Sequence, residues 1–195
     1  MKLASTPFWL SASAAICVLF ALAGVPRVGR AGSQSSSAKR KNEVTLGGIR
    51  PGRDLLTEVT KKYGDAPRTG DYSTRWMDNC RKETLVVDAD EKDRVEVVRV
   101  EHKEWVGDCV PVPPSPWRTG RGLRVSDECN QTVALYGNPD SRSPSTKGGQ
   151  PLELLYYAFD WAGPDVPQVM QVVCTPEQDD RAGRVVEITL AASSL

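Results

Sequence analysis

The chain has 195 residues, with 25 Lys or Arg, 25 Asp or Glu and one histidine. Residues 1–31 hold Lys2, Arg27 and Arg30 and no acids, which leaves 22 bases against 25 acids, a net charge of −3. A slightly acidic remainder without a Lys/Arg-rich face argues against nucleic acid as a partner.

Lys2 is the only charge ahead of an apolar run from Phe8 to Gly24, with small residues at Ala21, Ala23 and Ala31. This is the layout of a secretory signal peptide over residues 1–31. The alternative is an uncleaved anchor through residues 8–24, close to the ~18 residues that span a bilayer. Only that alternative brings the chain to a membrane; otherwise it is expected to be secreted or periplasmic. Residues 32–42 are small and polar and read as a flexible leader.

From residue 43 the chain reads as two similar stretches, 43–109 and 122–195, joined by a Pro-rich linker, 110–121. In the first, Leu55, Leu56, Val59 and Tyr63 fall on one face of a helix. Asp54 suits its N-terminus, Lys61 and Lys62 its C-terminus, and Gly64 and Pro67 stop it. A polar segment with Tyr72 and Trp76 leads to a hairpin, its arms Thr84–Val87 and Val95–Val100 set around an acidic turn. In the second stretch, Ser126 or Asp127 caps a helix carrying Cys129, Val133 and Tyr136, and Gly137 and Pro139 end it. A loop from Asn138 to Gln150 precedes an aromatic segment, Leu152 to Trp161. Strands Val169–Cys174 and Val185–Leu190 follow, the last alternating Val186, Ile188 and Leu190 with Glu187 and Thr189. The expected fold class is α+β: two tandem units, each a short helix packed on a small antiparallel β-meander.

Cys17 lies in the signal segment, leaving Cys80, Cys109, Cys129 and Cys174. Four cysteines in an exported chain allow three pairings. Two fall in each stretch, so Cys80–Cys109 and Cys129–Cys174 are the expected disulfides. No C-x-x-C or Cys/His cluster supports zinc, and no metal or other cofactor is expected.

A short helix ending in Tyr-Gly with a proline shortly after, then an aromatic strand and a hairpin, resembles a known group of exported proteins. These are the outer-membrane assembly lipoproteins of the small-protein-A type and the β-lactamase inhibitory protein fold. The likeness rests on Leu55, Val59, Tyr63-Gly64, Pro67 and Trp76, and on Val133, Tyr136-Gly137, Pro139 and Tyr156-Tyr157. It implies an exported, non-enzymatic fold with a protein partner. Ile16 before Cys17 does not make a lipoprotein signal, so membrane-assembly work is not implied with it.

His102 is the sole imidazole, no G-x-S-x-G motif accompanies it, and it reads as a solvated strand-end residue. The run Asp88 to Asp93 alternates carboxylates as calcium loops do, but lacks their central Gly and closing Glu. Asp90 and Asp93 are instead candidate contacts on a recognition edge, beside the acidic turn of the second hairpin. Trp76, Tyr156, Tyr157, Phe159 and Trp161 are the candidate aromatic contacts. Core packing is one reading of them. Tyr156, however, alternates against Tyr157, Phe159 and Trp161, and a two-layer unit buries one sheet face, so some rings should meet the other unit or a partner. The sequon Asn130-Gln131-Thr132 sits on a predicted helix and reads as chance.

Together these readings give an exported, non-enzymatic protein-binding module that works through a sheet face and hairpin tips. It would act as an inhibitor of, or scaffold for, another exported or envelope protein. The alternatives are a small-ligand pocket between the two units and a carboxylate-dependent hydrolase.

Overall fold

Segments with alternating or continuous apolar residues supply most of the strands, and they collect into one sheet. The computed structural model describes residues 42–66, 70, 72–103, 108–109, 117–177 and 182–192, all within a unit spanning Ser37–Leu195. The strands are β1 (Ser73–Asp78), β2 (Glu83–Ala89), β3 (Val95–His102), β4 (Ser141–Lys147), β5 (Gln150–Ala158), β6 (Val169–Cys174) and β7 (Val185–Ala191). Every pairing is antiparallel and the order is β1-β2-β3-β7-β6-β5-β4. Two helices of eight residues, α1 (Leu56–Tyr63) and α2 (Cys129–Tyr136), accompany the sheet. The expectations for residues 1–41 and for 110–116 of the linker lie outside the described residues.

The expected fold class, an α+β pair of helix-on-meander units, is corrected by this arrangement. β3 pairs with β7 from Val97↔Ala191 to Glu101↔Glu187, so one β-rich sheet replaces two small ones. A meander ending on a bare strand leaves a row of unpaired N–H and C=O groups. β3 and β7 satisfy that row in each other. The apolar side is likewise one cluster, running from Leu46 and Ile49 through Leu85 and Val98 to Ile188 and Leu190. Two helices of about two turns each cover part of it, and the segments around Leu46 and Leu123 cover more. Trp117, expected in an extended linker, is buried in this cluster with its ring 6.3 Å from Tyr63.

The Tyr-Gly recurrence is a local lock made at two places. Gly64 and Gly137 sit at φ 85° and 80°, a region open to glycine because it has no Cβ. The turn aims each glycine carbonyl at an aromatic of the sheet. Trp76 Nε1 donates to Gly64 O at 2.9 Å, and the Tyr157 hydroxyl donates to Gly137 O at 3.1 Å. The tyrosines pack nearby with their rings tilted, centroids 5.7 Å apart for Tyr63–Trp76 and 5.9 Å for Tyr136–Tyr157. Tyr136 also donates to the buried Glu43 carboxylate at 2.7 Å.

β4 replaces the loop expected at Asn138 to Gln150. Its sequence, Ser-Arg-Ser-Pro-Ser-Thr-Lys, has low strand propensity, but pairing with β5 along its whole length overrides that. As an edge strand it tolerates Pro144. Gly148 and Gly149, at φ 58° and 79°, make the two-residue turn that hairpins prefer.

Cys80 is bonded to Cys109 and Cys129 to Cys174, the expected pairs. Such bridges form in oxidising compartments, as suits an exported protein. Among the described residues no helix is long and apolar enough to cross a membrane.

Candidate functional site

The two sides of the sheet separate by register. Trp76, Leu85, Val100, Ile188, Val172 and Leu155 share one cross-strand row and belong to the core. The adjoining row points the other way and crosses all seven strands: Arg75, Val86, Arg99, Thr189, Gln171, Tyr156 and Ser141. The next row on that same side is Met77, Thr84, Glu101, Glu187, Val173, Leu154 and Ser143. Both helices pack on the core side, where Leu56, Val59, Tyr63 and Tyr136 are buried. The opposite side, the open face, carries charge on β1–β3 and β7 and apolar groups on β5 and β6.

The open face is concave. Lys147, at the end of β4, lies 2.6 Å from Glu101 on β3 and 2.9 Å from Glu187 on β7. In a flat sheet β4 and β3, four strands apart, would be about 19 Å from each other. A lysine does not span that, so the β4–β5 arm must curl over the open side. Burial pushes the Glu101 carboxyl up. The Lys147 hydrogen bond and charge outweigh this, with Arg99 and Arg75 behind them, and hold it below the ordinary carboxylate range. Lys147 is held above its own ordinary range, burial being outweighed by its two carboxylates.

The structure divides the sequence-predicted site residues. Trp76, Tyr157 and Phe159 are buried in the core, and the first two serve the Tyr-Gly locks. Tyr156 lies half-buried on the open face, and Trp161, beyond the end of β5, is 59% exposed. Asp90 and Asp93 organise the β2–β3 turn. One Asp90 oxygen accepts from the Lys92 and Arg94 amides at 2.8 Å. Asp93, at φ 66°, accepts the Leu56 amide with its carbonyl and the Thr57 amide with its carboxylate at 3.1 Å. Asp93 thus does the helix-capping work expected of Asp54, which instead accepts from the Arg50 amide. The β6–β7 turn is tied similarly to the start of α2, through Gly183 O to the Cys129 amide at 2.8 Å. Asp179 and Asp180 of that turn lie outside the described residues.

Two further places bear on the alternative chemistries. Asp78 and Glu83 face each other across the first hairpin, with His102 next along the row. Asp78 is committed to the Cys80 and Arg81 amides and to the Arg81 guanidinium at 2.9 Å. Glu83 is 7% exposed; burial, then the Asp78 charge, pushes its carboxyl up to about 7. The space beside the pair, about 10 Å³, is close to the room one water needs and does not admit a sugar or peptide. The larger cavity, about 810 Å³, lies between α2, the β4–β5 arm and the β6–β7 turn, over Val133, Leu152 and Leu155, with Arg142 and Glu153 at its rim. Its described lining falls within residues 129–183, in the second of the two stretches and not between them as expected from sequence.

Sequence reasoning missed Arg75, Arg99 and Lys147. The alternation in Ser73-Thr74-Arg75-Trp76-Met77 was the signal for the first, placing Arg75 opposite Trp76. The pair Gly148-Gly149 was the hairpin signal for the last. No protein-family model matches the chain, and no curated protein matches it. Among solved structures, a cysteine-rich secretory protein from Staphylococcus aureus is similar, with a TM-score of 0.45 and 10% identity. The match covers 80% of this chain and 49% of that protein, so the chain spans about half its length. A likeness of that size carries no argument for function.

Proposed function

We propose that this exported protein is a non-enzymatic binding module that docks another exported or envelope protein in its concave open face. One observation carries the reading: a seven-stranded sheet buries its core on one side and curls the other around mixed apolar and charged groups. Tyr156, Leu154 and Val173 supply apolar contact, Arg75 and Arg99 supply charge, and the curled arm supplies a wall. Aromatics and arginines are the side chains that most often dominate protein interfaces. A protruding loop or strand of a partner suits a concave surface. Inhibition and scaffolding would both use it.

The test is capture from secreted and envelope proteins of the native source, using the oxidised protein as bait. A stoichiometric partner lost on Leu154→Asp and kept on Lys92→Ala, in the pinned β2–β3 turn, is the expected outcome. Retention by the first variant and loss by the second would move binding from the face to the turn. The cavity of about 810 Å³ supports a second reading, a small ligand held in the C-terminal half. Native mass spectrometry of the protein purified from its source would show a bound mass, and Val133→Trp would expel it.

A further inference from the structure

The sequon Asn130-Gln131-Thr132 has no part in docking. It is the chain's single Asn-x-Ser/Thr sequence, and a helix is an unfavourable place for one. The structure changes the weight of that setting. Asn130 and Gln131 are exposed in the first turn of α2, while Thr132 is 0% exposed. The Thr132 hydroxyl has no hydrogen-bond partner among the described residues. A helical threonine can donate to the carbonyl one turn back, and Thr60 in α1 does so to Leu56 O at 3.0 Å. A buried hydroxyl that makes no bond loses its hydration without return, so a valine would serve the fold at least as well. The folded state does not need this hydroxyl.

The unfolded chain offers it a use. α2 has eight residues, too few to be stable alone in water. Its start is held by groups far along the chain: the Cys129–Cys174 bridge, the Gly183 carbonyl on the Cys129 amide at 2.8 Å, and Arg184 paired with Glu128. Synthesis runs from the N-terminus, so residues 129–132 precede all of these partners. Until they arrive, the sequon is unfolded and its hydroxyl is in water, the state in which N-glycosylation recognises Asn-x-Ser/Thr. The folded structure also accommodates the product. Asn130 Nδ2 donates to the exposed Glu128 carboxylate at 3.3 Å, and a glycosylated amide keeps one N–H for that bond. Asn130 borders the cavity of about 810 Å³, which leaves room for a first sugar beside the helix.

We propose that Asn130 carries an N-linked glycan, attached before α2 forms. Asn130 Nδ2 bonds to the anomeric carbon of a lipid-diphosphate-linked sugar. The bond from that carbon to the diphosphate oxygen breaks, and the lipid diphosphate leaves. The proton lost from Nδ2 passes to a carboxylate of the transferase. The glycan is independent of docking, because α2 packs on the side of the sheet away from the open face.

The test uses the full-length protein purified from its native source and denatured, so that no non-covalent ligand adds mass. Trypsin then releases the peptide Val125–Arg142, and fragmentation in the mass spectrometer locates any carbohydrate on it. Most of that peptide should carry a glycan on Asn130. Thr132→Val, expressed in the same source, should abolish the modification without lowering the urea midpoint, and Thr132→Ser should keep it. A bare peptide from the wild type overturns the proposal without recourse to any variant. So does a glycan that survives Thr132→Val. A Thr132→Val protein that unfolds at markedly lower urea also overturns it, since the hydroxyl would then serve the fold.

Discussion

The two faces of the sheet share their strands and differ in how the side chains are spent. On the packed face the side chains end in one another: Trp76 and Tyr157 close the glycine locks, and Leu85, Val100 and Ile188 fill the interior. On the open face, one residue along each strand, Arg75, Arg99 and Tyr156 stand where neither helix packs. Stability should therefore reside on one side and recognition on the other. Substitutions that separate these two quantities would sharpen the comparison, and substitutions that mix them would break it.

The largest effect belongs to the packed face. Trp76→Ala should cost about 3–5 kcal/mol in urea unfolding of the oxidised protein, because it leaves a cavity and the Gly64 carbonyl unpaired. A loss below about 1 kcal/mol would mean that the packed face does not hold the fold. Next comes the Cys129–Cys174 bridge, which ties α2 to the end of β6. The double Cys→Ser variant should lose roughly 3–4 kcal/mol through the chain entropy of its closed loop.

Glu83 gives a smaller effect with a pH signature. Its carboxyl is raised in the folded state, so folding favours the protonated form. The stability this confers is full below about pH 4.5 and lost as pH rises through about 7. Glu83→Gln should remove that loss and leave the variant about 1–2 kcal/mol more stable than wild type at pH 8, allowing for solvent screening. A parallel pair of stability-versus-pH curves would refute the burial argument. Lys147→Met should cost less than about 1 kcal/mol, since the lysine is largely exposed. That cost should shrink at high salt, and also as pH falls through the carboxylate range, where Glu101 loses its charge.

The strands of the packed face were the most legible part of the sequence. Val186, Ile188 and Leu190 alternate with Glu187 and Thr189, and that pattern alone placed β7. The edge pairing of β3 with β7 was not legible, because hydrophobic periodicity gives a strand's faces and not its neighbour. The two-unit architecture failed for that reason. β4 was hidden because its stability comes from β5 and not from its own Ser-rich composition. Of the candidate site, Tyr156 was recognisable by its opposition to Tyr157. The structural work of Asp90 and Asp93 was not legible, because their partners, the backbone amides of Lys92, Arg94, Leu56 and Thr57, leave no mark in a side-chain pattern.

The smallest effect on stability should come from Tyr156→Ala, within about 0.5 kcal/mol of wild type as for other surface changes. It should nevertheless weaken partner binding at least tenfold. Hydroxyl-radical footprinting of the complex with the captured partner tests the central claim most directly. Protection of Tyr156, Leu154 and Met77, with Tyr72 still reactive, is the result predicted. Unchanged reactivity of those three, with protection at Tyr72 and Leu55 instead, would contradict it.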